Sequence, residues 1–329
     1  MKKMLLFCGG LLIAAALLFV SCKKDDEVNP TVNKFFSVEN ATLIGKNMPE
    51  PTSTNEIEVS MNGNVIPGGS SIVSLYTENA VKKILVGMKD QAGYYEIQPN
   101  ARGEYSLVLL VNQDIKLEEG VTSFTIQVAV EDEEGAISKI WESSVNLIVV
   151  GTGELQVSLS FDNDKDVDLH LIEPEYVNEE GGMVPFYDRH IYYGNLMAEY
   201  SGGELDLDSN PSCRIDGINN ENITYSENAF VPAGTYKVYV DLYDNCDPSI
   251  ATHYVVTVFY GGSLIAKKTG VFDVNAPSTS NPIDPEYVSQ NEPFLTFTIA
   301  GDGHKSEKFY GKAPMTESAI EKEANSVKQ

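Results

Sequence analysis

Hydrophobic and polar residues alternate along most of the chain, in short runs separated by turns rich in Gly, Asn and Asp. The clearest run in the first half places four apolar side chains on one face of an extended segment: Phe124, Ile126, Val128 and Val130. The second half contains similar runs at 155–161, 167–172, 235–243 and 253–260. Alternation with a period of two is typical of half-buried antiparallel strands, so the predicted fold class is all-β.

The strand-like runs fall into two groups on either side of a glycine-rich boundary, Gly151-Thr152-Gly153. Residues 34–150 contain roughly six to eight such runs, which fits an immunoglobulin-like antiparallel β-sandwich. Residues 154–300 contain a second series, with a Pro-, Ser- and Asn-rich loop at 274–293, and a polar tail follows at 301–329. We therefore expect two tandem immunoglobulin-like antiparallel β-sandwich domains.

The N-terminus has the features of an export signal. Two lysines precede an apolar stretch at 5–20, which is shorter than the roughly 20 residues that a membrane span needs. It leads into Phe19-Val20-Ser21-Cys22 and then into a charged run, Lys23-Lys24-Asp25-Asp26-Glu27. This arrangement resembles a bacterial lipoprotein signal, and the charged run is similar to the surface-export signals of Bacteroidota lipoproteins. The resemblance implies a signal peptide at 1–21, lipidation of Cys22, a polar tether at 22–33 and an outer-membrane anchor at the cell surface.

Composition narrows the classes of function. The chain has 48 acidic and 23 basic residues, for a formal net charge of −25. Phosphate contacts need patches of Lys and Arg, so a nucleic-acid partner is not expected. Hydrophobic residues make up 42% of the chain, which is enough to build cores and argues against wholesale disorder.

Four motifs occur in order in the second half. They are Asp166-Val167-Asp168-Leu169-His170, Gly202-Gly203 before Leu205-Asp206-Leu207-Asp208, Glu221-Asn222-Ile223, and Pro232-Ala233-Gly234-Thr235-Tyr236. Together they resemble the YfaP-like family of bacterial domains of unknown function, over about residues 155–262. The chain departs from that family before Glu221, where Pro is usual, and in longer insertions at 173–190 and 196–201. The resemblance implies an extracytoplasmic β-sandwich and names no reaction.

The acidic residues of these motifs suggest a cation site. If Val167, Leu169 and Leu171 point into a core, the side chains of Asp166, Asp168 and His170 share the opposite face of the strand. By the same alternation, Asp206 and Asp208 point outward together. A hard cation such as Ca²⁺ would relieve the repulsion between crowded carboxylates. The candidate ligands are Asp162, Asp164, Asp166, Asp168, Asp206 and Asp208. The alternative is a solvated acidic face without an ion.

Cys213 and Cys246 are the cysteines that remain beyond Cys22. In an oxidising envelope compartment, such an isolated pair favours a disulfide. Two free core thiols are the alternative. A zinc site is not expected, because no CxxC spacing or histidine cluster accompanies the pair.

No pattern typical of a catalytic site is found: the four histidines are scattered, and neither an HExxH nor a G-x-S-x-G spacing is present. Aromatic side chains in the insertion at 173–201 could instead bind a sugar ring or a protein partner, although half-buried tyrosines that cap a core are the alternative. The candidates are Tyr187, His190, Tyr192 and Tyr193. We expect a lipid-anchored surface protein with a non-catalytic binding or adhesion role toward a glycan or protein, and Ca²⁺ is the candidate ion for its acidic site. An accessory envelope lipoprotein and a glycan-active hydrolase that uses Asp206 and Asp208 are the alternatives.

Overall fold

The computed structural model describes residues 27–99, 103–279 and 283–301. Strands account for 46% of the chain and helices for 6%, which confirms the all-β fold class. The expected signal peptide, Cys22 and nearly all of the polar tail lie outside the described residues. Within the described part of the chain, no helix is long and apolar enough to cross a membrane.

The first ten strands form two sheets, with strand orders β1-β8-β5-β3 and β2-β7-β6-β9-β10-β4. Neighbouring strands are antiparallel, except that β10 and β4 are parallel. The four alternating apolar residues of β9, from Phe124 to Val130, are buried in the core between these sheets. The strands are β1 (Phe36–Val38), β2 (Thr42–Ile44), β3 (Glu58–Met61), β4 (Asn64–Val65), β5 (Ser70–Tyr76), β6 (Val81–Met88), β7 (Tyr94–Ile97), β8 (Glu104–Val111), β9 (Ser123–Asp132) and β10 (Trp141–Leu147).

The next nine strands form two further sheets, ordered β14-β15-β11-β17-β18 and β13-β12-β16-β19. A second hydrophobic core lies between them, and it contains Leu159, Leu169 and Tyr236. The strands are β11 (Leu155–Phe161), β12 (Asp166–Ile172), β13 (His190–Ile191), β14 (Gly203–Leu207), β15 (Asn220–Tyr225), β16 (Gly234–Asp244), β17 (Thr252–Tyr260), β18 (Ser263–Phe272) and β19 (Leu295–Ile299). One short helix, α1 (Pro285–Gln290), precedes β19.

Three elements differ from what the hydrophobic pattern indicates. β18 is an edge strand whose side chains are mostly exposed, so it lacks a clear alternation. β15 has the polar sequence NENITY, yet all of its residues are buried. Helix α1 lies inside the expected loop at 274–293, where Pro285 begins the helix and the side chain of Asp284 accepts a hydrogen bond from Tyr287 N at 2.8 Å.

The face of β11 that points away from the second core packs against the turn at Pro67 and Gly68, between β4 and β5 of the first group of sheets. Gln156 donates from Nε2 to Pro67 O at 2.7 Å, and Thr257 donates from Oγ1 to Gly68 O at 2.7 Å. Gly68 has a φ of 72°, and a Cβ at this position would clash with the side chain of Gln156. Glycine is therefore required here both for the backbone conformation and for the close approach. These contacts explain why every residue of β11 is buried.

A disulfide joins Cys213, in the loop before β15, to Cys246, at the end of β16. The two Cα atoms are 5.6 Å apart, and the cysteines are separated by 33 positions in the chain. The bridge ties the loop at 208–219 to the sheet that contains β12 and β16. On the chain-entropy model, such a crosslink stabilises a fold by restricting its unfolded state.

Replacing both cysteines, in the double variant Cys213→Ser/Cys246→Ser, should lower the free energy of unfolding by about 3–4 kcal/mol, because the unfolded chain loses its crosslink. Urea unfolding followed by circular dichroism measures the change. Wild-type protein unfolded in the presence of a reductant should lose a similar amount. An unchanged unfolding midpoint in the double variant would contradict this stabilising role.

Candidate functional site

The second pair of sheets contains a group of buried acidic side chains beside β12. As predicted, Val167, Leu169 and Leu171 point into the core, and Asp166, Asp168 and His170 occupy the opposite face. That opposite face is not solvated, because the side chains of Asp166, Asp168 and His170 are only 1%, 3% and 2% exposed. The alternative of a solvated acidic face is therefore wrong for this strand.

Two segments cover this face of β12, and we call them the covering segments: residues 186–193 and 208–216. In the first, Tyr192 stacks on His170 with ring centroids 5.2 Å apart. In the second, Ser212 N donates to Asp166 Oδ2 at 2.7 Å. Alternation identifies which side of a strand faces the core, but these covering contacts depend on segments distant in the chain.

Glu221 completes the acidic group from the opposite sheet. It lies on β15, is 1% exposed, and its Oε2 accepts a hydrogen bond from Leu169 N at 2.6 Å. Along this edge of β12, the neighbouring strand β13 pairs only with Leu171 and Ile172. The N–H of Leu169 therefore has no strand partner at this edge. Glu221 belongs to the Glu221-Asn222-Ile223 motif, but it is not among the predicted ligands. The polar sequence of β15 has no hydrophobic period that would indicate a buried carboxylate there.

Two sets of three residues bring their ligand atoms within 4.8 Å of one another: Asp168, Asp208 and Glu221, and Asp168, His170 and Asp241. Asp168 belongs to both sets. Four buried atoms in these sets have no hydrogen-bond partner in the described structure: Asp168 Oδ2, Asp208 Oδ1, Glu221 Oε1 and His170 Nε2. The ion pairs found among the described residues all lie elsewhere.

Burial makes the ionised forms of these acids unfavourable. Burial, together with the neighbouring charges of Asp166, Asp208 and Asp241, raises the pKa of Asp168 to about 8. Burial also raises the pKa of Glu221 well above its ordinary value, with added repulsion from Asp168 and Asp208. A carboxylate removed from water needs a compensating proton or cation.

The two histidines of the group are neutral. Burial lowers the pKa of His170 to about 3 and that of His190 to about 4. His170 Nδ1 lies 3.0 Å from His190 Nε2, so one ring donates to the other. If His170 is the donor, its Nε2 carries the lone pair that has no partner in the described structure.

Four of the predicted cation ligands do not belong to either set. Asp166 is buried beside Asp168, but its Oδ2 accepts the hydrogen bond from Ser212 N. Asp162 Oδ2 is 2.8 Å from His253 Nδ1, and Asp164 is exposed and accepts from Asn219 Nδ2 at 3.2 Å. Asp206 is exposed and accepts from Asn222 Nδ2 at 2.7 Å and from Gly151 N.

The expected pairing of Asp206 with Asp208 is not found. The register of β14 against β15 shifts between Leu205 and Leu207, which breaks the alternation on which that expectation depends. β14 then ends at Leu207, so Asp208 belongs to the loop that follows. Asp208 therefore lies in the set with Asp168 and Glu221, whereas the side chain of Asp206 accepts a hydrogen bond from Gly151 N.

The predicted ligand-binding residues differ in how much of each side chain is exposed. His190 is 2% exposed, and Tyr192 stacks on it with ring centroids 4.1 Å apart, so His190 does not belong to the surface. Tyr187 and Tyr193 are 63% and 41% exposed. Tyr193 packs edge-on against Tyr243 with a centroid distance of 5.2 Å, which leaves part of its ring on the surface.

Glu173 is a second buried acid, located where the insertion begins. Its carboxylate accepts hydrogen bonds from Tyr225 OH at 2.7 Å and from Tyr176 OH at 3.0 Å. Arg189 Nη1 donates to the backbone carbonyl of Glu173 at 2.6 Å. Burial raises the pKa of Glu173 to about 7, although hydrogen bonds from Ser201 and the two tyrosines and the charge of Arg189 oppose this shift.

Because the pKa of Glu173 is higher in the folded state than its ordinary value of 4.5, its protonated form favours folding. This contribution is complete below the unfolded-state pKa and is lost as the pH rises through about 7. Glu173→Gln should therefore become more stable relative to wild type between pH 5 and pH 8, by about 2–3 kcal/mol.

Urea unfolding of both proteins across this pH range measures the difference in free energy. Glu180→Gln is the matched control, because Glu180 is an exposed acid in the same insertion and its replacement should leave the pH profile unchanged. A constant difference between Glu173→Gln and wild type at all pH values would contradict the prediction.

Comparisons with known proteins give no family assignment. No protein-family model and no curated protein matches the chain. Among solved structures, the chain is similar to BcpA, the major pilin subunit of Bacillus cereus, at 10% identity and a TM-score of 0.21, covering 56% of this chain and 58% of the pilin chain. It is also similar to the fibronectin(III)-like modules of Clostridium thermocellum CbhA, at 8% identity and a TM-score of 0.19, covering 66% of this chain and 92% of the other. Similarities at these TM-scores carry no argument about function.

Proposed function

We propose that this chain is a lipid-anchored cell-surface protein of two tandem immunoglobulin-like sandwich domains, with a non-catalytic binding or adhesion role. The observation that carries the proposal is a concentration of exposed apolar side chains in the insertion. Of the fifteen exposed large hydrophobic residues in the described chain, six lie within 177–197. We call these six the apolar loop surface: Val177, Met183, Tyr187, Tyr193, Leu196 and Met197. Exposed apolar groups concentrated in one segment favour a binding surface.

The segment that carries this surface is held in place by its own contacts. Asn195 Nδ2 donates to His190 O at 2.8 Å, and the backbones of Tyr192 and Asn195 are hydrogen-bonded to each other. Arg189 is buried and connects the segment to Glu173. A surface that is ordered before binding loses less conformational entropy on association, which supports a recognition role.

The composition of the apolar loop surface favours a protein ligand over a glycan. Sugar rings are bound mainly by aromatic faces, whereas Met and Tyr are both enriched at protein interfaces. Here Tyr187 and Tyr193 are accompanied by four aliphatic or thioether side chains. A glycan ligand is the alternative outcome of the binding experiment described below.

Replacing Tyr187 and Tyr193 with Ala should weaken ligand binding at least tenfold, because exposed aromatic residues often dominate the energy of an interface. The full chain is tested against a panel of soluble matrix proteins and against a glycan array, and each affinity is measured by surface plasmon resonance. The matched control is Tyr76→Ala, since Tyr76 is 47% exposed but lies in the first group of sheets.

Equal binding by the control and by the Tyr187→Ala/Tyr193→Ala variant would contradict the proposed surface. Stable co-purification with a single envelope protein, without binding to either panel, would favour the accessory-lipoprotein alternative. Turnover of a polysaccharide that is lost in Asp208→Asn would favour the hydrolase.

The membrane anchor is proposed from the resemblance of residues 1–27 to a lipoprotein signal. Replacing Cys22 with Ala removes the thiol that would be acylated, so the protein should move from the membrane fraction to the soluble fraction of the cell. Cell fractionation and immunoblotting measure the distribution. Cys213→Ser/Cys246→Ser is a control that should remain in the membrane fraction, and retention of Cys22→Ala there would contradict lipid anchoring at this residue.

A further inference from the structure

Three carboxylates from separate elements meet beside β12. Asp168 belongs to β12, Asp208 follows β14, and Glu221 lies on β15 in the opposite sheet. Their ligand atoms lie within 4.8 Å of one another. Each of the three also has a buried oxygen without a hydrogen-bond partner in the described structure: Asp168 Oδ2, Asp208 Oδ1 and Glu221 Oε1.

Protonation would satisfy this arrangement only with more than one proton. One proton shared between Asp208 and Glu221 would pair those two side chains and leave Asp168 Oδ2 unpartnered, so Asp168 would need a proton of its own. The ion pairs that the described residues form through Lys82, Lys83, Lys89, Lys139, Arg189 and Lys267 involve other acids. The charge of Arg214 acts on Asp208 and lowers its pKa, but burial outweighs this effect. A single cation placed between them would contact all three oxygens at once and compensate their charge.

The spacing suits an ion with oxygen ligands. Ca²⁺ binds oxygens at about 2.3–2.6 Å, so two oxygens on the same ion are at most about 5 Å apart. The separation limit of 4.8 Å within this set falls inside that range. Glu221 is already oriented, because its other oxygen accepts the hydrogen bond from Leu169 N. Oriented ligands of this kind are typical of metal sites.

We propose that Asp168, Asp208 and Glu221 bind a hard divalent cation, for which Ca²⁺ is the probe. This ligand set replaces the one expected from the sequence, because it includes Glu221 and excludes Asp162, Asp164, Asp166 and Asp206. The site does not require the proposed binding function, and it can exist whether or not the apolar loop surface has a partner. Its role is to neutralise the buried acids and to hold β12, β15 and the second covering segment together.

The full chain, treated with EDTA and then exchanged into metal-free buffer, tests the proposal. Isothermal titration with Ca²⁺ should show saturable binding of one ion per chain. Thermal unfolding in millimolar Ca²⁺ should occur at least about 4 °C above the unfolding in EDTA, since a ligand that binds only the folded state stabilises it.

Glu221→Gln and Asp208→Asn should each reduce the Ca²⁺ affinity at least tenfold and reduce the thermal shift. Asp208 is only partly buried, so its variant is the safer test if Glu221→Gln does not fold. Asp164→Asn is the matched control, because Asp164 is acidic and exposed in the same part of the chain and should leave binding unchanged.

Three results would overturn the proposal. The first is that wild-type protein shows neither heat of binding nor a thermal shift with Ca²⁺. The second is that the Glu221 and Asp208 variants bind Ca²⁺ as wild type does. The third is binding of Zn²⁺ but not Ca²⁺, lost in His170→Gln, which would place the ion in the other set with His170 and Asp241.

Discussion

Strand β12 has no face exposed to water, and the surrounding structure depends on this constraint. One face carries Val167, Leu169 and Leu171 into the core, as in an ordinary sandwich. The other face carries acids and a histidine, and the covering segments exclude solvent from it. Every polar atom on that face therefore needs a partner from the protein or from a bound ion.

The structure supplies some of these partners from distant parts of the chain. Glu221 crosses from the opposite sheet to accept a hydrogen bond from Leu169 N, and Ser212 N donates to Asp166. The loop that contains Ser212 is held against the sheet by the disulfide between Cys213 and Cys246. Like charges repel strongly in a low-dielectric interior, so the buried acids favour opening of the loop that covers them. The disulfide opposes this opening.

The sequence pattern was sufficient for many of the strands and for the apolar residues that they place in the core. The runs predicted at 167–172 and 253–260 begin within one residue of β12 and β17, and β9, β11 and β12 carry their alternating apolar residues inward as expected. The pattern failed for β15, because a strand buried on both faces by polar contacts has no hydrophobic period. It also failed at Asp206 and Asp208, because a register shift changes which side chains share a face and leaves no mark in the alternation.

Burial of the second face of β12 could not be predicted for a related reason. A period of two distinguishes the core side of a strand from the other side, but what lies over the other side depends on the tertiary packing of loops. Tyr192 and Tyr193 lie in an insertion that has no periodicity, yet both rings contact His170, at centroid distances of 5.2 and 6.0 Å.

Those contacts connect the buried acids to the surface. Tyr193 is part of the apolar loop surface, and its ring contacts the same histidine that forms a set with Asp168 and Asp241. Repulsion that loosened this face of β12 would therefore also loosen the Tyr193 ring that is packed over it.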